Sequence, residues 1–357
     1  MKRLSFTIIN TVARLPELHR LSDAGAGANL MHLTPARDSE IIAYGEARTS
    51  VPAPRPGTLP AQGLLSNGGI SPAVLVHGLL KGLSQHGVEV HFASFNIGVP
   101  APKSVGQTPS PLASVRHFGG ESATAEQLLP TLLDHMLQQT QRGATSILSE
   151  CGVGGTTFST LWLRGLTGLP LSPAGSTQCP QKLAHKAALL AQLEQAHLSQ
   201  RFALHRALAT PGAHDPLQKV LCELVSRWPD STPLPRFGGG MMLLAPLMAC
   251  EQAGTLSQSA HIDTTRWAVA GDAQQLLPRL ADRIHIHSHH TQFGDSRHAC
   301  LHRYEQGEVV EGCGLGALLV QLESLPLPDG TLMGWLDEAV DAHLQRFESV
   351  PQHKEAV

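Results

Sequence analysis

The chain has 357 residues, of which 42% are hydrophobic and 4% aromatic, with a formal net charge of −3 at pH 7. That suffices for one large domain or two ordinary ones; it gives no general attraction to nucleic acid or acidic membranes, and so few aromatics argue against a base-stacking platform. Six cysteines without a Cys-x-x-Cys pair form neither a zinc framework nor a dense disulfide scaffold, and no run approaches the roughly 20 apolar residues of a membrane span, so a cytoplasmic setting is expected.

Residues 4–9 read as a first strand, in an apolar run too short for a signal peptide, and 40–44 as a second, stopping at Gly45. Four prolines in 50–60 make a surface loop. Apolar spacing predicts a helix over 72–84, alternation predicts a strand over 88–95, and the Pro- and Ser-rich 100–113 is a loop. A helix over 121–139, a strand over 145–149 and a helix after Thr156 follow. The segment 181–204, rich in Ala, Leu, Lys and Gln, reads as one long helix. A glycine turn at 235–240 leads into an apolar helix over 241–250. A short strand follows at 283–287, then helices over 314–322 and 332–346, and a frayed tail over 350–357.

Strands alternating with helices predict an α/β fold: a mainly parallel, Rossmann-like sheet with helices on both faces. It is expected to fill a domain over 1–320, with a small helical C-terminal cap and tail over 321–357. Ligands bind beyond the carboxyl ends of such strands, so the turn at 152–155 and the loops near 96–100 and 175–180 should share a crevice.

The most informative stretch is Glu150-Cys151-Gly152-Val153-Gly154-Gly155-Thr156-Thr157. Glycines let a backbone approach a phosphate, a helix N-terminus attracts it, and Thr156 or Thr157 adds a hydroxyl. A carboxylate beside such a cradle is odd, because it repels the same phosphate. On residues alone the stretch is either a phosphate cradle or an ordinary strand-to-helix turn. It is neither a P-loop nor a clean dinucleotide fingerprint.

Glu311-Gly312-Cys313-Gly314-Leu315-Gly316-Ala317 repeats the device: a carboxylate, alternating glycines and an apolar helix. It is either a helix-capping acid or the second half of a carboxylate pair suited to proton abstraction and cation stabilisation. Gly238-Gly239-Gly240 either lines a ligand or is a flexible turn. Lys186 is either a solvated lysine or a phosphate partner. His285, His287, His289, His290, His298 and His302 cluster in sequence, and those at i, i+2 on a strand share a face. Without a completing motif they read as surface residues more readily than as a metal-dependent hydrolase.

Set side by side, 150–157 and 311–317 carry a resemblance. The chain resembles the nicotinate-nucleotide–dimethylbenzimidazole phosphoribosyltransferases, which act in the lower-ligand branch of cobalamin synthesis. Familiar bacterial members carry Gly-Glu-Met-Gly-Ile-Gly-Asn-Thr-Thr where this chain has Ser149 to Thr157, and Gly-Glu-Gly-Ser-Gly-Ala where it has Val310 to Gly314. The archaeal-type branch is closer. Its Glu-Ser-x-Pro-Gly-Gly-Thr-Thr is similar to Glu150–Thr157, with Val153 in place of the proline. Its Tyr-Glu-x-Gly-x-Val-x-Glu-Gly-x-Gly is similar to Tyr304–Gly314, and its Thr-Thr-Arg-Trp stands as Thr264-Thr265-Arg266-Trp267. The likeness runs in order from about residue 4 to about 325.

The resemblance implies a reaction. Nicotinate mononucleotide would set its 5′-phosphate on Gly152, Gly154, Gly155, Thr156 and Thr157, near Lys186, with Gly238 and Gly239 also on the nucleotide. A benzimidazole nitrogen would attack the ribose C1′ with Glu311 as general base, Glu150 would support the ribose or its developing charge, and nicotinate would leave. Asn96, Gly98, Gly312 and Gly314 would form the base pocket. Where bacterial members have Asp-His-Gly-Val this chain has Phe95 to Val99, which leaves the acceptor open: another benzimidazole, adenine or a phenol. No metal or organic cofactor is implied, because the leaving group is already a pyridinium. Partners would be small molecules and a second copy in a homodimer, with no nucleic acid and no membrane. A non-catalytic nucleotide-binding protein on the same fold is the alternative.

Overall fold

The structure is a computed structural model that describes residues 1–23, 30–49, 65, 69–104, 109–172, 175, 177–198 and 201–348. The expected loop at 50–60 and tail at 350–357 lie outside the described residues, as do parts of the expected loops at 100–113 and 175–180.

Seven strands form one all-parallel sheet: β1 (Arg3–Val12), β2 (Glu89–Ile97), β3 (Ser114–Gly120), β4 (Thr145–Val153), β5 (Arg236–Gly238), β6 (Ala260–Thr264) and β7 (Ile284–Ser288). Their order is β3-β2-β1-β4-β5-β6-β7. Order reverses between β1 and β4, where Ile9 pairs with Glu150 and Asn10 with Cys151. That is the switch point at which open α/β sheets leave a crevice. The expected Rossmann-like α/β architecture is what the sheet shows.

Helices cover both faces. Against one face lie α1 (Thr34–Tyr44), α2 (Pro72–Gln85), α10 (Leu315–Glu323) and α11 (Thr331–Glu348), closing a core with Phe6, Ile8, Leu79 and Tyr304. Against the other lie α3 (Ala125–Gln141), α4 (Gly155–Thr167), α7 (Pro216–Arg227) and α8 (Met241–Gln252), around Ile9, Phe95, Leu148 and Phe237. Among the described residues there are three more α-helices: α5 (Pro180–His197), α6 (Leu204–Ala209) and α9 (Ala299–Glu305). The expected boundary at residue 320 falls inside α10, and α11 packs on α2. Among the described residues no helix is long and apolar enough to cross a membrane.

Three sequence expectations are corrected. Residues 40–44 are not a strand but the end of α1; Pro35 opens the helix and Gly45, at φ +78°, closes it by donating its N–H to the Ile41 carbonyl. The helix expected over 181–204 stops at His197, where the Leu198 N–H caps on the Glu194 carbonyl, and Phe202 turns in against Trp162 at 5.4 Å. The turn expected at 235–240 contains β5, a central strand too short to show a period. The strands β3 and β6 and the helices α6, α7 and α9 have no counterpart among the expected elements. β6 has only five residues, of which His261 and Asp263 are polar, so it makes no apolar run.

Candidate active site

One cavity opens at the β1/β4 switch point. Its walls come from the end of β4, the start of α1, the start of α2, the turn into α8 and the segment 308–313. Glu150 and Glu311 both line it.

Glu150 sits near the carboxyl end of β4 and is only 6% exposed. Its Oε2 accepts the Gly152 N–H at 2.7 Å, the one hydrogen bond its carboxylate receives among the described residues. Burial pushes its pKa up to about 8; the Gly152 N–H opposes this, and the charges of Glu311 and Asp215 add to it. Thus the carboxylate that would be out of place beside an anion itself occupies the first N–H of the glycine turn.

Glu311 is held differently. Its Oε2 accepts the Thr264 hydroxyl at 3.1 Å and the Thr265 N–H at 2.7 Å; its Oε1 accepts the N–H groups of Gly312 at 3.0 Å and Gly316 at 3.2 Å. Burial still raises its pKa above the usual carboxylate range, against these donors. Thr265 also donates its hydroxyl to the Val310 carbonyl. The Thr264–Trp267 segment is tied further on: Arg266 pairs with Glu305, and Trp267 Nε1 donates to Glu305 at 3.1 Å. The segments Thr264–Trp267 and Tyr304–Gly314 are therefore one structure.

Two glycines separate the acids. A Cβ on Gly239 would lie 3.4 Å from Glu150 Cγ, and one on Gly240 4.0 Å from Glu311 Cβ. The Cys313 N–H donates to the Glu150 carbonyl at 3.1 Å, stitching the two turns together.

At another end of the cavity stand Gly154, Thr156 and Gly175. Gly154 is the N-cap of α4 at φ +80°, a conformation that favours glycine. Buried Lys186 reaches this end from α5, donating to Thr156 Oγ1 at 3.2 Å. Burial, with the neighbouring charge of Arg164, pulls its ammonium down to about 8. A helix N-terminus, a hydroxyl and a buried lysine are groups suited to an anion.

A third cluster is absent from the sequence expectations. Asp38, in the first turns of α1, accepts the Cys151 thiol at 3.4 Å, the Ser71 hydroxyl at 3.3 Å and the Cys313 thiol at 3.8 Å. All of these groups line the cavity. Burial raises Asp38 to about 6 and contributes to raising Cys313 to about 11. Asp38 lies 26 positions past the end of β1, and no local signal in its residues points to the switch point.

Other expected residues are elsewhere. Asn96 is fully buried inside the sheet, accepting from Asn10 Nδ2 at 2.7 Å and donating to the Phe118 carbonyl at 2.8 Å. Neither it nor Gly98 lines the cavity, because β2 stands on the far side of β1 from β4. Gly155, Thr157, Gly238, Gly239 and Gly314 lie behind the cavity surface, whereas Gly152 and Gly312 line it. Gly155 and Gly238 allow close packing: a Cβ would fall 2.3 Å from Met242 Cε and 2.8 Å from Ala317 Cβ respectively.

The histidines disperse. His285 and His287 stack with His261 of β6 at 4.8 and 5.5 Å, as strand spacing requires. His289 is buried edge-on to Trp267 at 4.7 Å, His302 bonds the Ser296 carbonyl and His298 meets Asp341. Among the described residues the one group of three or more His, Cys, Asp or Glu placed to share a metal is Asp38, Cys151 and Cys313.

No protein-family model matches the chain. It is similar to a UPF0284 protein of Synechocystis sp., 30% identical over 311 residues covering 80% of this chain and 79% of the relative. A UPF0284 protein of Pyrobaculum calidifontis is 24% identical, covering 91% and 93%. Among solved structures it is similar to the nicotinate-nucleotide-dimethylbenzimidazole phosphoribosyltransferase of Thermus thermophilus, with a TM-score of 0.40 and 14% identity over 96% of this chain and 83% of that one.

Proposed function

Because the chain belongs to the UPF0284 family, whose name assigns no chemistry, we propose its function from the crevice: transfer of the phosphoribosyl group of nicotinate mononucleotide to a benzimidazole-type base. The observation that carries this reading is the convergence of Glu150 and Glu311 on one cavity that also holds the α4 N-terminus, with Lys186 behind it. The resemblance of four motifs in register supports it.

In this reading the 5′-phosphate sits on the α4 N-terminus, with Thr156 and Lys186. The acceptor nitrogen attacks C1′ with its lone pair. The bond from C1′ to nicotinate breaks, its electron pair quenches the pyridinium, and the anomeric configuration inverts to α. Positive charge gathers on the ribose in an oxocarbenium-like transition state, which Glu150 and Glu311 stabilise. The proton on the acceptor's other nitrogen passes to Glu311, whose donors hold the carboxylate in one orientation. Glu150 faces the ribose. With Asn96 and Gly98 away from the cavity, the acceptor pocket is assigned to Gly312 and the apolar Val309, Val310 and Met241. The products are an α-ribazole-type 5′-phosphate and nicotinate, in the lower-ligand branch of cobalamin synthesis. The enzyme works on small molecules, in the cytoplasm and as a homodimer, which sedimentation checks.

The test is to incubate the protein with nicotinate mononucleotide and a panel of benzimidazoles, adenine and phenols, following free nicotinate by chromatography. Release that requires an acceptor is the expected result. Mononucleotide binding without release for any acceptor would replace this reading with a non-catalytic nucleotide-binding protein.

A further inference from the structure

The carboxylate of Asp38 and the thiols of Cys151 and Cys313 come from three distant parts of the chain, yet their ligand atoms all lie within 4.8 Å of one another. The reaction proposed above uses none of them. Two thiols and a carboxylate are a borderline-soft donor set, suited to zinc rather than magnesium or calcium.

The spacing fits. Zinc–sulfur bonds of about 2.3 Å and zinc–oxygen bonds of about 2.1 Å at tetrahedral angles place sulfur and oxygen about 3.6 Å apart. Here Asp38 Oδ2 is 3.4 Å from Cys151 Sγ and 3.8 Å from Cys313 Sγ. The surroundings fit as well. Ser71 donates to Asp38 Oδ1, leaving Oδ2 toward the sulfurs, as outer partners of metal ligands do. Cys313 is held at φ +55°, a left-handed conformation rare outside glycine, and that turn sets its thiol against Asp38 and Cys151.

We propose that Asp38, Cys151 and Cys313 form a three-ligand site for a thiophilic divalent cation, zinc above all, with its fourth position open to the cavity. Binding releases the two thiol protons to solvent, and two thiolates and a carboxylate around a dication leave one negative charge beside Arg37. The open position takes water or an azole nitrogen of a bound base. Metal binding is measured without any substrate, so this inference and the transferase reading fail independently.

The experiment uses untagged, reduced, chelator-treated protein titrated with cobalt(II) and zinc(II). One equivalent of cobalt should give near-ultraviolet thiolate-to-cobalt charge transfer and the strong visible bands of a four-coordinate ion, both displaced by zinc. Cys151→Ser and Cys313→Ser should each lose most of the charge-transfer absorption, and Asp38→Asn should weaken zinc binding by about tenfold or more. Cys222→Ser and Cys250→Ser, whose thiols lie buried between α7 and α8, should leave the spectrum unchanged. Absence of charge transfer in folded wild-type protein, or its survival in the Cys151→Ser/Cys313→Ser double variant, overturns the proposal. Should that double variant not fold, alkylation of wild-type protein decides: zinc must protect Cys151 and Cys313, and equal labelling with and without zinc overturns the site.

Discussion

The turns at Glu150 and Glu311 look alike in sequence and differ in the fold. Each sets a carboxylate ahead of spaced glycines and an apolar helix. Glu150 folds back onto one N–H of its own turn. Glu311 receives two donors on each oxygen, half of them from Thr264 and Thr265 at the end of β6. One acid is loosely satisfied and buried; the other is clamped by a strand that local sequence does not reveal. In the proposed reaction the same motif would therefore serve as a pre-oriented proton acceptor in one place and as the group facing the ribose in the other.

Substituting the two acids is the largest test of that contrast. Glu311→Gln should lower turnover by about 10²-fold or more, since it removes the proton acceptor. It should also destabilise by about 1–3 kcal/mol, because an amide NH₂ must face donors that already point at it. Glu150→Gln should lower turnover as well, but its free oxygen accommodates an NH₂, so the melting temperature should hold or rise. Equal stability losses in the two variants would erase the distinction.

A smaller effect is expected at the phosphate end. Lys186→Met should raise KM for the mononucleotide by about 10- to 100-fold, the worth of a charged hydrogen bond, and spare kcat. A fall in kcat alone would move Lys186 out of the phosphate site. Smaller again, Thr264→Val removes one of four donors from Glu311. It should cut kcat roughly tenfold at unchanged KM, where the same change distant from Glu311 does nothing.

The smallest effect concerns Asp215, whose charge bears on Glu150. Burial raises Asp215 to about 7, and its Oδ2 has no partner among the described residues. The folded state thus holds this proton more tightly than the unfolded state. Asp215 stabilises most fully below about pH 4 and loses that contribution as pH rises to about 7. His77, buried and lowered to about 4, works in the opposite sense over a similar range. The measurement is therefore a difference: wild-type minus Asp215→Asn melting temperature should fall between pH 4 and pH 7. Asn keeps the cap on Gln218, so a constant difference would show that Asp215 is ionised throughout.

Much of the fold was legible because long elements carry their period. The stretches that became β1, β2, α2 and α4 show it in the residues. Residues 236–238 and 260–264 do not, since strands of three and five residues carry little pattern and sheet pairing alone makes them strands. Residues 40–44 misled because two adjacent isoleucines suit a strand and a buried helix face equally. At the site, Glu150, Glu311 and the glycine turns stood out through local chemistry. Asn96 misled because strand order, which no local signal encodes, places β2 away from the crevice.

By itself, then, the sequence determined an α/β chain with two acid-and-glycine turns and a helix entry suited to an anion. Local spacing and helix dipoles act within a few residues, so they are readable in a line of text. Tertiary structure alone decided that both acids face one cavity, that Thr264 and Thr265 clamp one of them, and that Asp38, Cys151 and Cys313 meet on its wall. Those contacts join residues up to 275 positions apart, and only the parallel pairing of β1 with β4 and the return of the chain through Gly312 bring them together.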